Sequence, residues 1–148
     1  MSQTYTNLIS KLKTKFEGLK DGDNVAIFKA VYDHAEGDFS GYPCAVIVDK
    51  GGAGQIIDTQ RIERAFTFEV SLYQEQSQAA KTKAEAATIM RSIVDQVIQS
   101  FDEDTQLGGE VMRVIVVDVV LDFTIKQGTF NFARFTIQCN DLVNSHST

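Results

Sequence analysis

From Arg64 to Gln74 the chain reads RAFTFEVSLYQ, in which Phe66, Phe68, Val70 and Leu72 alternate with Thr67, Glu69, Ser71 and Tyr73. Side chains along an extended strand point alternately to opposite faces, so this two-residue period describes a sheet with one buried face. Such a sheet needs apolar cover on one side only. Every other element has to be fitted around that requirement.

Two segments can supply the cover. Tyr5, Leu8, Ile9, Leu12, Phe16 and Leu19 recur at helical spacing, and Gly18 and Gly22 mark where this first helix ends. The second is AAKTKAEAATIMRSIVDQVIQSF, with Ser77 as its N-cap and Gly108 and Gly109 closing it. Its apolar stripe runs through Ala87, Met90, Val94, Val97 or Ile98 and Phe101, widened by Ile89 and Ile93, while Lys81, Thr88, Asp95 and Gln99 fall opposite. Strands are expected at Val25–Tyr32, at Cys44–Val48 behind Pro43, at Arg113–Ile125 and at Phe130–Asn140, the last two joined by a turn at Lys126-Gln127-Gly128-Thr129. In the Arg113 strand, Ile115, Val117, Val119, Leu121, Phe123 and Ile125 are expected to share a face. The order is αβββαββ in a single domain over residues 1–148. It contains hairpins and no strict alternation of strand and helix, which predicts an α+β fold: a mainly antiparallel sheet with helices packed on one face.

The stretch DKGGAGQI, residues 49 to 56, poses a choice between a phosphate cradle and a loop between strands. A nucleotidase phosphate loop has the order G-x-x-x-x-G-K-[ST], with the lysine after the glycines, and here Lys50 precedes Gly51, Gly52 and Gly54. The dinucleotide pattern G-x-G-x-x-G places Ile57 where its third glycine belongs. No helix pattern follows to offer an N-terminal anion site. The expectation is a mobile strand-to-strand loop.

The 148-residue chain carries 43% apolar residues, enough for one core, and a net charge of -6 with a pI near 4.8. That charge argues against gripping a nucleic acid backbone. MSQTYTNLISKLKTKF is too polar for a signal peptide core, and no apolar run approaches a membrane span, so a soluble protein is expected. Cys44 and Cys139 sit in separate apolar strands without metal or redox spacing and are expected as buried thiols. His34 and His146 accompany no nucleophile or zinc motif. Asp33-His34-Ala35-Glu36-Gly37-Asp38 gathers three carboxylates and an imidazole but lacks the calcium-loop register, and reads as a solvated turn. No catalytic residue, cofactor or metal site is expected. Asp102-Glu103-Asp104 is less easily set aside, because carboxylates at a helix C-terminus face the negative end of its dipole. They read either as a solvated run or as a surface kept negative so that something anionic slides past.

The layout as a whole resembles the tail terminator family of long-tailed bacteriophages. The resemblance runs from about Leu8 to Asn140 and is carried by the short N-terminal helix, a strand opening with Tyr42-Pro43-Cys44-Ala45-Val46, a variable loop, the stretch Arg64 to Gln74, and a helix ending in Phe101-Asp102-Glu103-Asp104-Thr105-Gln106-Leu107-Gly108-Gly109. It implies a virion protein at the head-proximal end of the phage tail, made in the host cytoplasm. It implies a homomeric, hexameric ring on the last ring of the tail tube protein, which stops tube polymerisation and meets a head-completion protein on its other side, while DNA passes through without specific binding. The family has no catalytic residues. From this sequence, Lys50, Gly51, Gly52, Gly54, Gln55, Arg61 and Arg64 are the expected subunit or ring-to-ring contacts, and Asp102, Glu103 and Asp104 the expected acidic channel lining. The alternatives are a tail tube or head-completion subunit of the same particle, or a small cytosolic enzyme or ligand-binding domain.

Overall fold

The computed structural model describes residues 3–35, 40–41, 43–58, 60–75, 83–122 and 130–144. Along the chain these form α1 (Tyr5–Gly18), β1 (Ala30–Tyr32), β2 (Cys44–Gly51), β3 (Gly54–Ile56), β4 (Arg61–Glu75), α2 (Lys83–Asp102), β5 (Arg113–Asp122) and β6 (Phe130–Asn144). The α+β expectation holds. One six-stranded sheet has the order β1-β2-β4-β6-β5, with β3 also on β4, and only the β1–β2 pair is parallel.

β4 and β6 form the centre of the sheet, paired without interruption from Arg61↔Asn144 to Glu75↔Phe130. Residues directly opposite in an antiparallel pair share a face. One face therefore carries Ala45 and Ile47 of β2, Phe66, Phe68, Val70 and Leu72 of β4, Ala133, Phe135, Ile137 and Cys139 of β6, and Val114 of β5. All of these are buried.

Both helices cover that face. Thr4 starts α1 by accepting a bond from the Asn7 amide at 3.1 Å, and Leu8, Leu12 and Phe16 at successive turns are fully buried. The Phe16 ring lies 6.3 Å from Phe135 in the sheet and 5.8 Å from Phe101 at the end of α2, so it fastens the three layers at one point. Tyr5 reaches Phe66 and Phe68 at 4.9 and 5.8 Å. The stripe of α2 packs as expected, with Ala87, Met90, Ile93, Val94, Val97 and Phe101 buried.

Three expectations change. The strand foreseen over Val25–Tyr32 survives only as β1, because Asp21 Oδ1 accepts from the amides of Asp23 and Val25 and Asn24 takes φ 62°, a turn that ends extension before the strand begins. A fourth strand precedes α2, since β3 forms inside the glycine stretch. In β5 the register slips by one residue between Val117 and Val120, with Asp118 at φ 53°. This bulge leaves Ile115, Val117 and Val120 on the helix-free face and turns Leu121 to the face of Ala133, so the apolar set does not share one side. Ser77, Lys81, Phe123, Ile125 and the Lys126–Thr129 turn lie outside the described residues.

Candidate functional site

The glycine stretch is the outer strand of a long hairpin. β2 pairs with β4 down to Asp49↔Phe68, the register shifts by one residue, and pairing resumes at Gly51↔Thr67 and continues through Gly54↔Arg64, Gln55↔Glu63 and Ile56↔Ile62. Between these pairs the Ala65 amide donates to the Ala53 carbonyl at 2.9 Å. The expected loop is thus one interrupted ladder.

Its glycines have separate jobs. Gly51 sits at the bulge with φ 85°, a conformation that side-chain-bearing residues rarely adopt. Gly52 lies so close to β4 that a Cβ there would stand 1.8 Å from the Ala65 carbonyl oxygen, so the two backbones meet only because the position has no side chain. Over Gly54 lie Arg64 and Ile62, each with an atom 3.3 Å from where a Cβ would be.

The hairpin closes where the Ile57 and Asp58 amides donate to the Arg61 carbonyl at 3.0 and 3.3 Å. Asp58 Oδ1 accepts from the amides of Gln60 and Arg61 at 2.8 and 2.9 Å, and its Oδ2 takes the Arg61 guanidinium at 2.7 and 2.8 Å. The Arg61 hydrogen bond, helped by the Gln60 amide, holds the Asp58 carboxyl below its ordinary pKa. Just before this polar turn the chain is exposed and apolar: Ile56 is 77% accessible and Ile57 46%. Lys50 reaches Glu69 at 3.9 Å. The seven residues expected to make contacts, Lys50, Gly51, Gly52, Gly54, Gln55, Arg61 and Arg64, are brought together on this one arm.

The three acidic residues divide. Asp104 Oδ2 accepts from Lys15 Nζ of α1 at 3.3 Å and its Oδ1 from the Gly108 amide at 2.8 Å. The Gly108 bond and then Lys15 lower its pKa. Lys15 also donates to the Ser100 carbonyl at 3.2 Å and lies 4.8 Å from the centre of the Phe101 ring. A cation borrowed from α1 therefore offsets the dipole end of α2, which accounts for a carboxylate being tolerated there. Glu103 accepts from Gln99 at 2.9 Å, and Asp102 is exposed at the last residue of the helix.

In the 33–38 stretch, Asp33 bonds the His34 ring at 3.1 Å and its pKa is lowered by that contact, while Glu36 and Asp38, like His146, lie outside the described residues. Among the described residues no three His, Cys, Asp or Glu side chains stand close enough to hold a metal ion. Cys44 and Cys139 are buried free thiols, each pushed up to about 12 by burial. No helix among the described residues is long and apolar enough to cross a membrane.

Two features were not foreseen. A cleft of about 480 Å³ is bordered by Ile27, Pro43, Ile89, Ile93 and Gln74, and the Gln74 Oε1 is buried with no hydrogen-bond partner. On β5, Ile115, Val119, Val120 and Leu121 are each 41 to 45% exposed. The expected shared face of Ile115, Val117, Val119 and Leu121 describes a strand with one buried side and does not place it at the margin of the sheet. No protein-family model matches the chain, and no curated protein matches it.

Proposed function

We propose that the protein is a structural subunit of a long-tailed bacteriophage, closing into a ring that caps the tail tube, stops its polymerisation and joins the tail to a head-completion protein. The observation that supports this reading best is the hairpin arm. A bulge and a close backbone approach are maintained by glycines to hold out a tip with Ile56 and Ile57 in water, an arrangement that makes physical sense when a neighbour covers the tip. Asp58 and Arg61 fix the turn, and Lys50, Gln55 and Arg64 supply polar contacts around the apolar tip. In this reading the protein performs no chemistry and binds no cofactor. Asp102 and Glu103 give the channel wall its negative charge when the helix layer faces the DNA, which passes by repulsion.

The test is a phage lacking the gene, examined by electron microscopy beside purified protein added to isolated tubes. Tails of uncontrolled length, with capped ends restored by the protein, are the expected result. Normal tail lengths in the mutant would remove the terminator role and leave a tube or head-completion subunit to be tested by its position in the particle.

The orphan Gln74 oxygen favours a second reading, a ligand-binding domain whose cleft takes a small molecule offering an N–H or O–H group beside an apolar body. Native mass spectrometry of the freshly purified protein decides it, since a bound small molecule released on unfolding would support the binder.

A further inference from the structure

Among the described residues the sheet has two open edges. Among the described residues, nothing pairs with the outer side of residues 49–56, because β1 covers β2 only at Cys44, Ala45 and Val46. On the opposite side, β5 donates one bond along its outer edge, from the Val114 amide to the Thr105 carbonyl, and among the described residues that edge has no backbone partner from Ile115 onward. An unpaired row of amides and carbonyls is a template for another strand, and here it carries four exposed aliphatic side chains.

We infer that β5 of one copy pairs, antiparallel, with the β2–β3 edge of the next copy, so that the sheet continues from subunit to subunit; the inference rests on the ring reading and says how the ring closes. Direction supports it. β2, β4, β6 and β5 alternate, so β5 runs opposite to β2 and β3, and a neighbour placed head to tail meets an antiparallel edge. The open stretches match in length, residues 115–122 against residues 49–56, at about 3.3 Å per residue. Faces match as well: Val120 lies opposite Arg134 on the helix-free side, and Lys50 reaches Glu69 on that same side. A two-fold pairing of β5 with itself would set Asp118 near its own copy and leave the arm unused.

The experiment uses the full chain with Val120→Cys, Lys50→Cys or both, treated with a short bismaleimide in concentrated solution and on tail tubes; Cys44 and Cys139 are buried and serve as silent background. The double variant should give a ladder of covalent oligomers, and each single variant none. A dimer from Val120→Cys alone would overturn the head-to-tail pairing in favour of the two-fold one. Rings visible on tubes with no ladder would overturn edge pairing while leaving the ring reading intact. No rings and no ladder would remove both. Val120→Lys, which places a charge on the edge while circular dichroism reports an intact fold, should lower assembly at least tenfold, and unchanged assembly counts against the edge.

Discussion

β4 runs through two different environments, and the contrast separates what holds this protein together from what it holds out. Under the helices, Phe66, Phe68, Val70 and Leu72 are all at most 2% exposed, and their spacing alone decides which face is inside. Toward the arm, residues 61–65 of the same strand include no buried side chain, and the outer strand β3 is exposed at all three positions. The first half is specified by side chains and the second by backbone. A deletion of atoms should hurt the first, and an addition of atoms the second.

The largest expected effect lies in the covered half. Phe16→Ala removes the ring that touches Phe28, Phe101 and Phe135 and should cost about 3 to 5 kcal/mol in urea denaturation, leaving amide exchange in the arm's own hairpin largely as it was relative to global unfolding. A loss under about 1 kcal/mol would contradict the division, because a mutation outside the core costs no more than that. Next is Gly52→Ala, one added methyl group aimed at the Ala65 carbonyl. We expect about 1 to 3 kcal/mol, with the Ala53–Ala65 ladder exchanging faster than the core, and an unperturbed Ala65 amide would show that the two strands are not held this close.

A smaller effect tests the seam between α1 and α2. Lys15→Met should cost about 0.5 to 1 kcal/mol at neutral pH, as partly exposed ion pairs do. The Asp104 pKa lies below its usual 3.8 in the folded chain, so its contribution is present above that value and is lost as pH falls through the lower folded one. The variant should therefore differ from the parent at pH 6 and converge with it in strong acid, and a constant difference across that range would reassign the effect to packing on Phe101. Smallest of all for stability is Ile56→Ser at the arm tip, within about 0.5 kcal/mol. Under the proposed ring function its effect should appear as weaker association in sedimentation, and unchanged association would leave the exposed tip without a role in assembly.

Legibility in the sequence follows the same divide. α1, α2 and the buried face of β4 could be read because burial writes a period into side chains, 3.6 or 2 residues long, and Leu8, Leu12 and Phe16 or Phe66 and Phe68 show it. The arm could not be read this way. Gly51, Gly52 and Gly54 have no side chains to carry a pattern, so a strand made by backbone proximity looks like a loop. The same residues nevertheless fall on one hairpin, since a glycine cluster marks close approach as readily as freedom. The bulge at Asp118 leaves no trace in IVVDVVL, and with it the side on which Leu121 falls is hidden. Exposure of β5 depends on its place at the margin of the sheet, which no local window contains. Asp104 was legible as an anomaly, and its resolution required Lys15 from another helix.

The seam between β4 and β6 also sets how this chain reaches its fold. Its nearest partners along the sequence, Glu75 and Phe130, are 55 positions apart, and its farthest, Arg61 and Asn144, are 83 apart. The neighbouring pairs are local by comparison, β3 with β4 across a short turn and β5 with β6 as consecutive strands. Two hairpins can thus form early on microsecond timescales, but each waits with one naked margin until the other finds it. Zipping the seam is the costly search, since the ordering entropy of a long intervening segment is spent before the first contact is rewarded. On a ribosome, β4 remains half-paired through the synthesis of α2 and β5, and that interval is when newly made copies are most prone to pair with each other in the wrong way.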